Sequence, residues 1–162
     1  MSSESLQKYE FKQSLERLKN YKGHATELVS LYIPPERKIY EVQSYLRNEA
    51  SQSANIKSKS TRKNVSAAIE SIMSRLKLYK NPPENGVVFF VGHVSKGGNQ
   101  TTMVQEVVVP PEPIPTFLYR CDSGFFLEPL EELGEVKTQF GLIVIDRSEA
   151  ALGILRGASI NT

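Results

Sequence analysis

The chain has 162 residues, of which 40% are hydrophobic and 23% are charged, and its formal net charge is +2. This composition is typical of a soluble globular protein with one domain, or one domain and part of another. A single cysteine excludes an internal disulfide and favours a reducing, cytoplasmic location. No apolar run is long enough to span a bilayer, and residues 1–5 lack the pattern of a secretory signal, so we expect no membrane association.

The first half of the chain predicts one strand and three helices. An amphipathic helix is predicted over 4–22 and a mostly apolar, central strand over 28–33. Helices predicted over 36–54 and 61–80 would form a helical hairpin joined by the short loop 55–60. The apolar stripe of the third helix indicates core packing.

The second half predicts three further strands, over 87–94, 101–109 and 116–121, and a short helix over 127–133. Together these elements predict an α+β fold. We expect a four-stranded, mainly antiparallel sheet packed by helices, with a protruding helical hairpin that carries a basic loop.

The last residues predict the start of a second domain. Residues 1–135 hold what looks like a complete unit, whereas 140–146 and 151–155 read as an apolar β-hairpin with little to bury against. We interpret 136–162 as the truncated beginning of a further domain.

Positive charge is concentrated in the predicted hairpin. Residues 36–80 contain ten basic and four acidic residues, which gives the segment +6 and leaves −4 for the rest of the chain. Such asymmetry is typical of a polyanion-binding face, although a solvated helical face explains it about as well.

The sequence gives little support for an enzyme. His24 and His93 are not in metal-ligand spacing, and we expect no metal, cofactor or catalytic residue. Cys121 would be a nucleophile only beside a histidine, and a cysteine in a strand is more often a small buried hydrophobe.

Residue types suited to single-stranded RNA occur in and around the basic loop. RNA phosphates attract cations, while bases are read along their edges by hydrogen-bonding groups and held by stacking. The candidate polar groups are Asn55, Lys57, Ser58 and Glu49. The candidate aromatic groups are Tyr119, Phe125 and Phe126.

Two short motifs give these residues a family context. Asn55-Ile56-Lys57-Ser58 matches the NIKS motif, and residues 119–125 match YxCxxxF through Tyr119, Cys121 and Phe125. With both motifs in order, nearly the whole chain resembles the amino-terminal domain of the archaeal and eukaryotic class I peptide-chain release factors. Residues 140–146 resemble the start of the family's middle domain.

The resemblance implies recognition of an mRNA stop codon in the small-subunit decoding site of the ribosome. Asn55 and Lys57 would read the invariant first uridine. Glu49, Tyr119 and Cys121 would contact the two purines that follow. Ser58 would support the loop, and nearby cations would lie close to RNA phosphates.

One stretch departs from the family pattern. The family commonly has Gly-Thr-Ser before the first strand, where this chain has Ala25-Thr26-Glu27. Thr26 keeps the hydroxyl for a contact to the third base, and Glu27 is expected to add an acid near anionic RNA. The predicted codon-binding residues are Asn55, Ile56, Lys57, Ser58, Glu49, Tyr119, Cys121, Phe125 and Thr26. The predicted RNA-backbone contacts are Lys59, Arg62 and Lys63.

The resemblance also implies what other parts of a full-length factor would do. The hydrolytic Gly-Gly-Gln tripeptide of the family lies in the middle domain, and Gly97-Gly98-Asn99 is not that motif. A translational GTPase would bind through a carboxyl-terminal portion. The alternatives are a ribosome-rescue factor related to Pelota, which lacks these codon-reading motifs, and a general RNA-binding module without codon specificity.

Overall fold

The computed structural model describes residues 3–134, 139–145, 150–156 and 159–161. Its elements in chain order are α1 (Ser3–Lys19), β1 (Leu28–Ile33), α2 (Ile39–Ser53), α3 (Lys59–Leu76), β2 (Val87–Ser95), β3 (Thr101–Val108), β4 (Leu118–Asp122), α4 (Glu128–Gly134), β5 (Gln139–Ile145), β6 (Ala150–Arg156) and β7 (Ser159–Asn161). No helix in these ranges is both long and apolar enough to cross a membrane.

The first four strands form one antiparallel sheet in the order β3-β2-β1-β4. β1 lies between β2 and β4, and Leu31 is opposite both Phe89 and Tyr119. All six residues of β1 are buried, as its nearly continuous apolar run predicts for a central strand. The predicted four-stranded antiparallel sheet is therefore confirmed.

Helices cover both faces of this sheet. Alternate residues of β1 point to opposite sides, so Val29 and Leu31 pack with α2 and α3, whereas Leu28 and Tyr32 belong to a second core with α1 and the segment leading to α4. We call the first side the hairpin face and the second the α1 face. The predicted hairpin of α2 and α3 thus packs on one face only.

Several predicted boundaries were wrong by a few residues. α3 spans Lys59–Leu76 and not 61–80. It begins earlier because the backbone N–H of Thr61 donates to Ser58 Oγ, which makes Ser58 the N-cap. It ends earlier, with Lys77 as the C-cap, in a turn where the N–H groups of Leu78 and Tyr79 donate to the carbonyls of Arg75 and Leu76.

The predicted terminal hairpin is present as β5 and β6, with Phe140 opposite Leu155. A third strand, β7, pairs with β6 and was not predicted, because three residues are too short to establish a periodic pattern. The last residue of the predicted strand 140–146, Asp146, lies outside the described residues. The domain division after residue 135 stays a prediction.

Gly92 in β2 permits close approach to the start of β1. A Cβ at this position would lie 2.9 Å from both the Glu27 carbonyl oxygen and Leu28 Cα. Because these are backbone atoms of a paired strand, we expect Gly92→Ala to lower the free energy of unfolding by about 1–3 kcal/mol. Urea denaturation of the chain, followed by circular dichroism, measures this change.

Gly124→Ala is the matched control. A Cβ at Gly124 would have Lys22 Nζ as its nearest neighbour, at an ordinary contact distance of 3.6 Å. This variant should unfold near the wild-type midpoint. Equal midpoints for the Gly92 and Gly124 variants would contradict the close approach.

Candidate nucleic-acid interface

The tip of the helical hairpin presents exposed cations. Asn55, Lys57, Lys59 and Lys63 are exposed, and none of these lysines forms an ion pair with a carboxylate in the described part of the chain. Unpaired ammonium groups at a protruding tip are available to phosphates or base acceptors. The basic loop therefore has the placement that its sequence predicted.

Internal bonds hold the tip loop in one shape. Ser58 caps α3, and its hydroxyl also lies 3.2 Å from that of Ser60. The Arg62 guanidinium donates to the Ile56 carbonyl at 3.1 Å, while the Ile56 side chain packs against the core of the hairpin face. Ser58 and Ile56 thus support the loop, and Arg62 keeps further N–H donors.

The second motif meets α2 on the hairpin face. Tyr119 and Cys121 lie on the same side of β4, with 3.2 Å between the hydroxyl oxygen and Sγ, and either group can be the donor. The ring of Tyr45 on α2 contacts the Tyr119 ring edge-on, with 5.7 Å between centroids. Glu49, one helical turn after Tyr45, influences both β4 side chains electrostatically. Three predicted codon-binding residues therefore form one cluster, which we call the β4 cluster: Glu49, Tyr119 and Cys121.

Burial keeps the Tyr119 hydroxyl and the Cys121 thiol protonated. Burial is the main reason that the pKa of Cys121 is raised, and the Glu49 carboxylate raises it further, while the hydrogen bond with Tyr119 partly opposes this. Burial likewise raises the pKa of Tyr119, with Cys121 and then Glu49 adding to the effect. Cys121 is therefore a thiol at neutral pH, which makes it a poor nucleophile.

Tyr45 and Phe117 were missed by sequence reasoning. Besides contacting Tyr119, the Tyr45 ring lies edge-on to Phe117 at 5.0 Å, and burial followed by a hydrogen bond to Glu49 raises the pKa of Tyr45. A signal was present, because Tyr45 and Glu49 are four residues apart and so share one helix face.

Phe125 does not join the β4 cluster. It lies on the α1 face, where its ring meets Phe90 at 5.4 Å and Tyr21 at 6.1 Å. The next residue, Phe126, is tied to β1, because its N–H donates to Ser30 Oγ and its carbonyl accepts from the Tyr32 hydroxyl. Phe125 thus supports the segment after β4 from the opposite side of the sheet.

The departure from the family pattern falls at the start of β1. Thr26 is exposed, as a base-contacting hydroxyl requires. Glu27 is 3% exposed and accepts a hydrogen bond at 3.1 Å from the Asn64 amide on α3. The Glu27 carboxylate is therefore buried and ties the Thr26 segment to the hairpin. The expectation that it adds an acid near anionic RNA stays a prediction.

We expect the buried Cys121 thiol to react slowly. At pH 8, iodoacetamide should alkylate the folded chain about tenfold or more slowly than the urea-unfolded chain, because burial limits both access and thiolate formation. Mass spectrometry reports this rate without ambiguity, since the chain has one cysteine. Equal rates would contradict the buried, protonated thiol.

The same pKa shift predicts a pH-dependent stability. The unfolded thiol loses its proton above its ordinary pKa of about 8.5, whereas the folded thiol retains it, so the unfolded chain binds fewer protons. The free energy of unfolding should therefore fall as the pH rises from about 8 to 10. Cys121→Ala should show a smaller fall over this range in urea titrations.

Comparison with known proteins shows which family the chain resembles. Residues 6–135 match the family model "eRF1 domain 1". The chain is 61% identical over 160 residues to "Peptide chain release factor subunit 1" of Picrophilus torridus, covering 99% of this chain and 39% of the relative. It is 59% identical over 157 residues to the protein of the same name in Thermoplasma acidophilum, covering 97% and 38%.

A solved structure has a similar fold. "Crystal structure of archaeal translation termination factor, aRF1" superposes with a TM-score of 0.72 and 38% identity, covering 94% of this chain and 42% of that chain. The chain spans about two fifths of the length of these proteins. With most of its length matching one family model and its fold matching a solved structure, the chain belongs to the eRF1 domain 1 family, which confirms the resemblance indicated by its two motifs.

Proposed function

We propose that this domain recognises stop codons in mRNA at the decoding site of the small ribosomal subunit, as part of a translation termination factor. The observation that carries the proposal is the edge-on contact of Tyr45 on α2 with Tyr119 on β4, with 5.7 Å between ring centroids, because Glu49 lies one turn further along the same face of α2. α2 leads directly into the tip loop, so this helix connects the two motifs. Ile56 of the first motif packs against the same core as Tyr119 and Cys121.

The tip loop reads the first base. Lys57 and Asn55 are both exposed in the tip loop, and their ammonium and amide groups can donate to the carbonyl oxygens of uridine. Lys59, Lys63 and the remaining donors of Arg62 hold RNA phosphates. These phosphate contacts add affinity without sequence information.

The β4 cluster reads the purines. The Glu49 carboxylate accepts from an exocyclic amino group, which favours a base that carries one at the correct edge. Either the Tyr119 hydroxyl or the Cys121 thiol can be the donor in their hydrogen bond, so the pair can accommodate a purine carbonyl or a purine amino group. Thr26 has the same versatility at the third base, because a hydroxyl both donates and accepts. Phe125 acts indirectly, by fixing the segment after β4.

The remaining activities of a termination factor belong to portions outside this domain. The 162 residues contain no Gly-Gly-Gln tripeptide, so peptidyl-tRNA hydrolysis would be carried out by a middle domain of the full-length protein. A translational GTPase would bind through a carboxyl-terminal portion, and the factor would act in the cytoplasm. Within this division, the domain supplies codon recognition and directs hydrolysis elsewhere.

Lys57→Ala should severely impair release. Losing a charge-assisted contact to the first uridine should lower the rate about 10- to 100-fold at each stop codon. We would join this chain to the remaining portion of the Picrophilus torridus relative and assay reconstituted termination on all sixty-four codons. Wild-type release by this variant at all three stop codons would refute the proposed function.

Lys96→Ala is the matched control, because Lys96 is an exposed lysine between β2 and β3. It removes the same charge without touching either motif, and its release rate should equal that of the wild type. Equal losses for both variants would indicate charge-driven RNA binding without codon specificity.

Glu49→Gln should alter purine discrimination and leave the requirement for a first uridine intact. The substitution replaces an acceptor-only carboxylate with an amide that both donates and accepts, which should change the relative rates on UAA, UAG and UGA about tenfold. The same reconstituted assay measures these ratios.

Glu70→Gln, an exposed site on α3, is the control for loss of an acidic charge from the hairpin. Its rates on the three stop codons should keep the wild-type ratios. Unchanged ratios in the Glu49 variant as well would remove Glu49 from the reading surface.

A further inference from the structure

A second cationic surface lies at the other end of the helical hairpin, where α2 begins and α3 ends. An open groove of about 520 Å³ runs between these helix ends. We call it the base groove and define it by the residues Lys38, Tyr40, Gln43, Lys77, Tyr79 and Lys80. α2 has 15 residues, so at about 1.5 Å per residue the groove lies roughly 22 Å from the tip loop.

The base groove has a positive charge that the fold does not neutralise. Lys38, Lys77 and Lys80 are exposed, and none forms an ion pair with a carboxylate within residues 3–133. No carboxylate lines the groove. Residues 36–80 therefore carry three exposed lysines, Lys38, Lys77 and Lys80, in addition to the cations of the tip loop.

Neighbouring arginines behave differently. Arg37 stacks on the Phe117 ring at 4.5 Å and lies 3.6 Å from the Glu41 carboxylate, and Arg75 donates twice to the Gln105 side chain. The fold therefore uses these two arginines in ion-pair or hydrogen-bond contacts, whereas Lys38 contacts only the Tyr40 ring and no such contact involves Lys77 or Lys80 in the described part of the chain.

Aromatic rings accompany these lysines. The Tyr40 side chain is 61% exposed, and Lys38 Nζ lies 5.8 Å from its ring centroid. Tyr79 forms a fixed wall, because its ring packs edge-on against the buried Phe89 at 6.0 Å. An exposed ring beside unpaired cations is the combination that holds an unpaired base and its phosphates.

We infer that the base groove binds single-stranded RNA without sequence preference. Lys38, Lys77 and Lys80 contact phosphates, and a base stacks on Tyr40. An acidic peptide would satisfy the lysines but give Tyr40 no role, so the observations favour RNA. The inference goes beyond codon reading and does not require it.

The salt dependence of RNA binding tests the phosphate contacts. We would titrate the 162-residue chain against a fluorescein-labelled oligouridylate of about 12 nucleotides and follow anisotropy between about 50 and 200 mM NaCl. Each lysine that contacts a phosphate contributes about 0.7 to the slope of log K against log salt for single strands. The variant with Lys38→Gln, Lys77→Gln and Lys80→Gln should therefore lose about 2 from this slope.

A control variant removes the same charge elsewhere. It carries Lys8→Gln, Lys12→Gln and Lys96→Gln, all at exposed positions on α1 or after β2. Its slope should stay near the wild-type value. Equal slopes for the groove and control variants would overturn the inference, since only the total charge would then matter. Unchanged thermal unfolding of each variant establishes that the fold is intact.

Substitutions at Tyr40 test the stacking contact. Tyr40→Ala should weaken binding of the oligouridylate at least about fivefold at constant salt, because stacking on an aromatic ring is lost. Tyr40→Phe should bind like the wild type. Equal affinities for the Ala and Phe variants would remove the stacking contact and with it the proposed mode of binding.

Two further outcomes are informative. Displacement of the oligouridylate by a polyglutamate peptide at equal charge concentration would assign the groove to an acidic protein and overturn the RNA inference. In the other outcome, the joined factor fails to release in a codon-dependent way while the groove variant still loses about 2 from its salt slope. That result would refute codon reading and would still support RNA binding by the base groove.

Discussion

The packing of α2 against one face of the sheet is the constraint on which the candidate site depends. Val42 and Leu46 are fully buried in the core of the hairpin face, and burying each such side chain contributes about 1.5–3 kcal/mol. Rotating the helix about its axis would expose them. Their burial therefore fixes which side of α2 looks towards β4.

The helical repeat determines which side chains of α2 this packing turns towards β4. At 3.6 residues per turn, successive side chains are about 100° apart, so Tyr45 and Glu49 both lie about 60–100° to the same side of the inward-pointing Leu46. On that side the Tyr45 ring contacts Tyr119 of β4, and the Glu49 charge helps to raise the pKa of Tyr119. The burial of Leu46 therefore fixes the direction in which Glu49 points relative to β4. Because α2 continues into the tip loop, it also anchors the start of that loop.

The two parts of the candidate site differ in their physical character. The lysines of the tip are exposed and unpaired, so their contribution to binding is long-range and sensitive to salt. Tyr119 and Cys121 are half-buried and stay protonated, so they act through short, directional contacts. Under the proposed function, this division would assign affinity to the tip and discrimination to the β4 cluster. The base groove adds a second exposed, cationic region at the far end of the same hairpin.

Local pattern in the sequence was sufficient for the type and order of the main helices and strands and for the order of the motifs, but not for the bounds of α3 or for the short strand β7. The apolar run of β1, the stripe along α3 and the basic loop between the two hairpin helices all follow from short-range periodicity and charge. Even the burial of Glu27 could be predicted, because Glu27 precedes Val29 and Leu31 at intervals of two residues and so lies on the same side of the extended chain, which faces the hairpin.

Tertiary structure alone decided which motif residues share a surface. Tyr119, Cys121 and Phe125 have the same parity, so strand alternation would place all three on one face. β4 ends at Asp122, however, and the bonds of Phe126 to β1 carry Phe125 to the other side of the sheet. The sequence by itself therefore determined the elements and their chemistry. Their convergence depended on long-range contacts, because periodicity says where a side chain points only while the strand or helix continues.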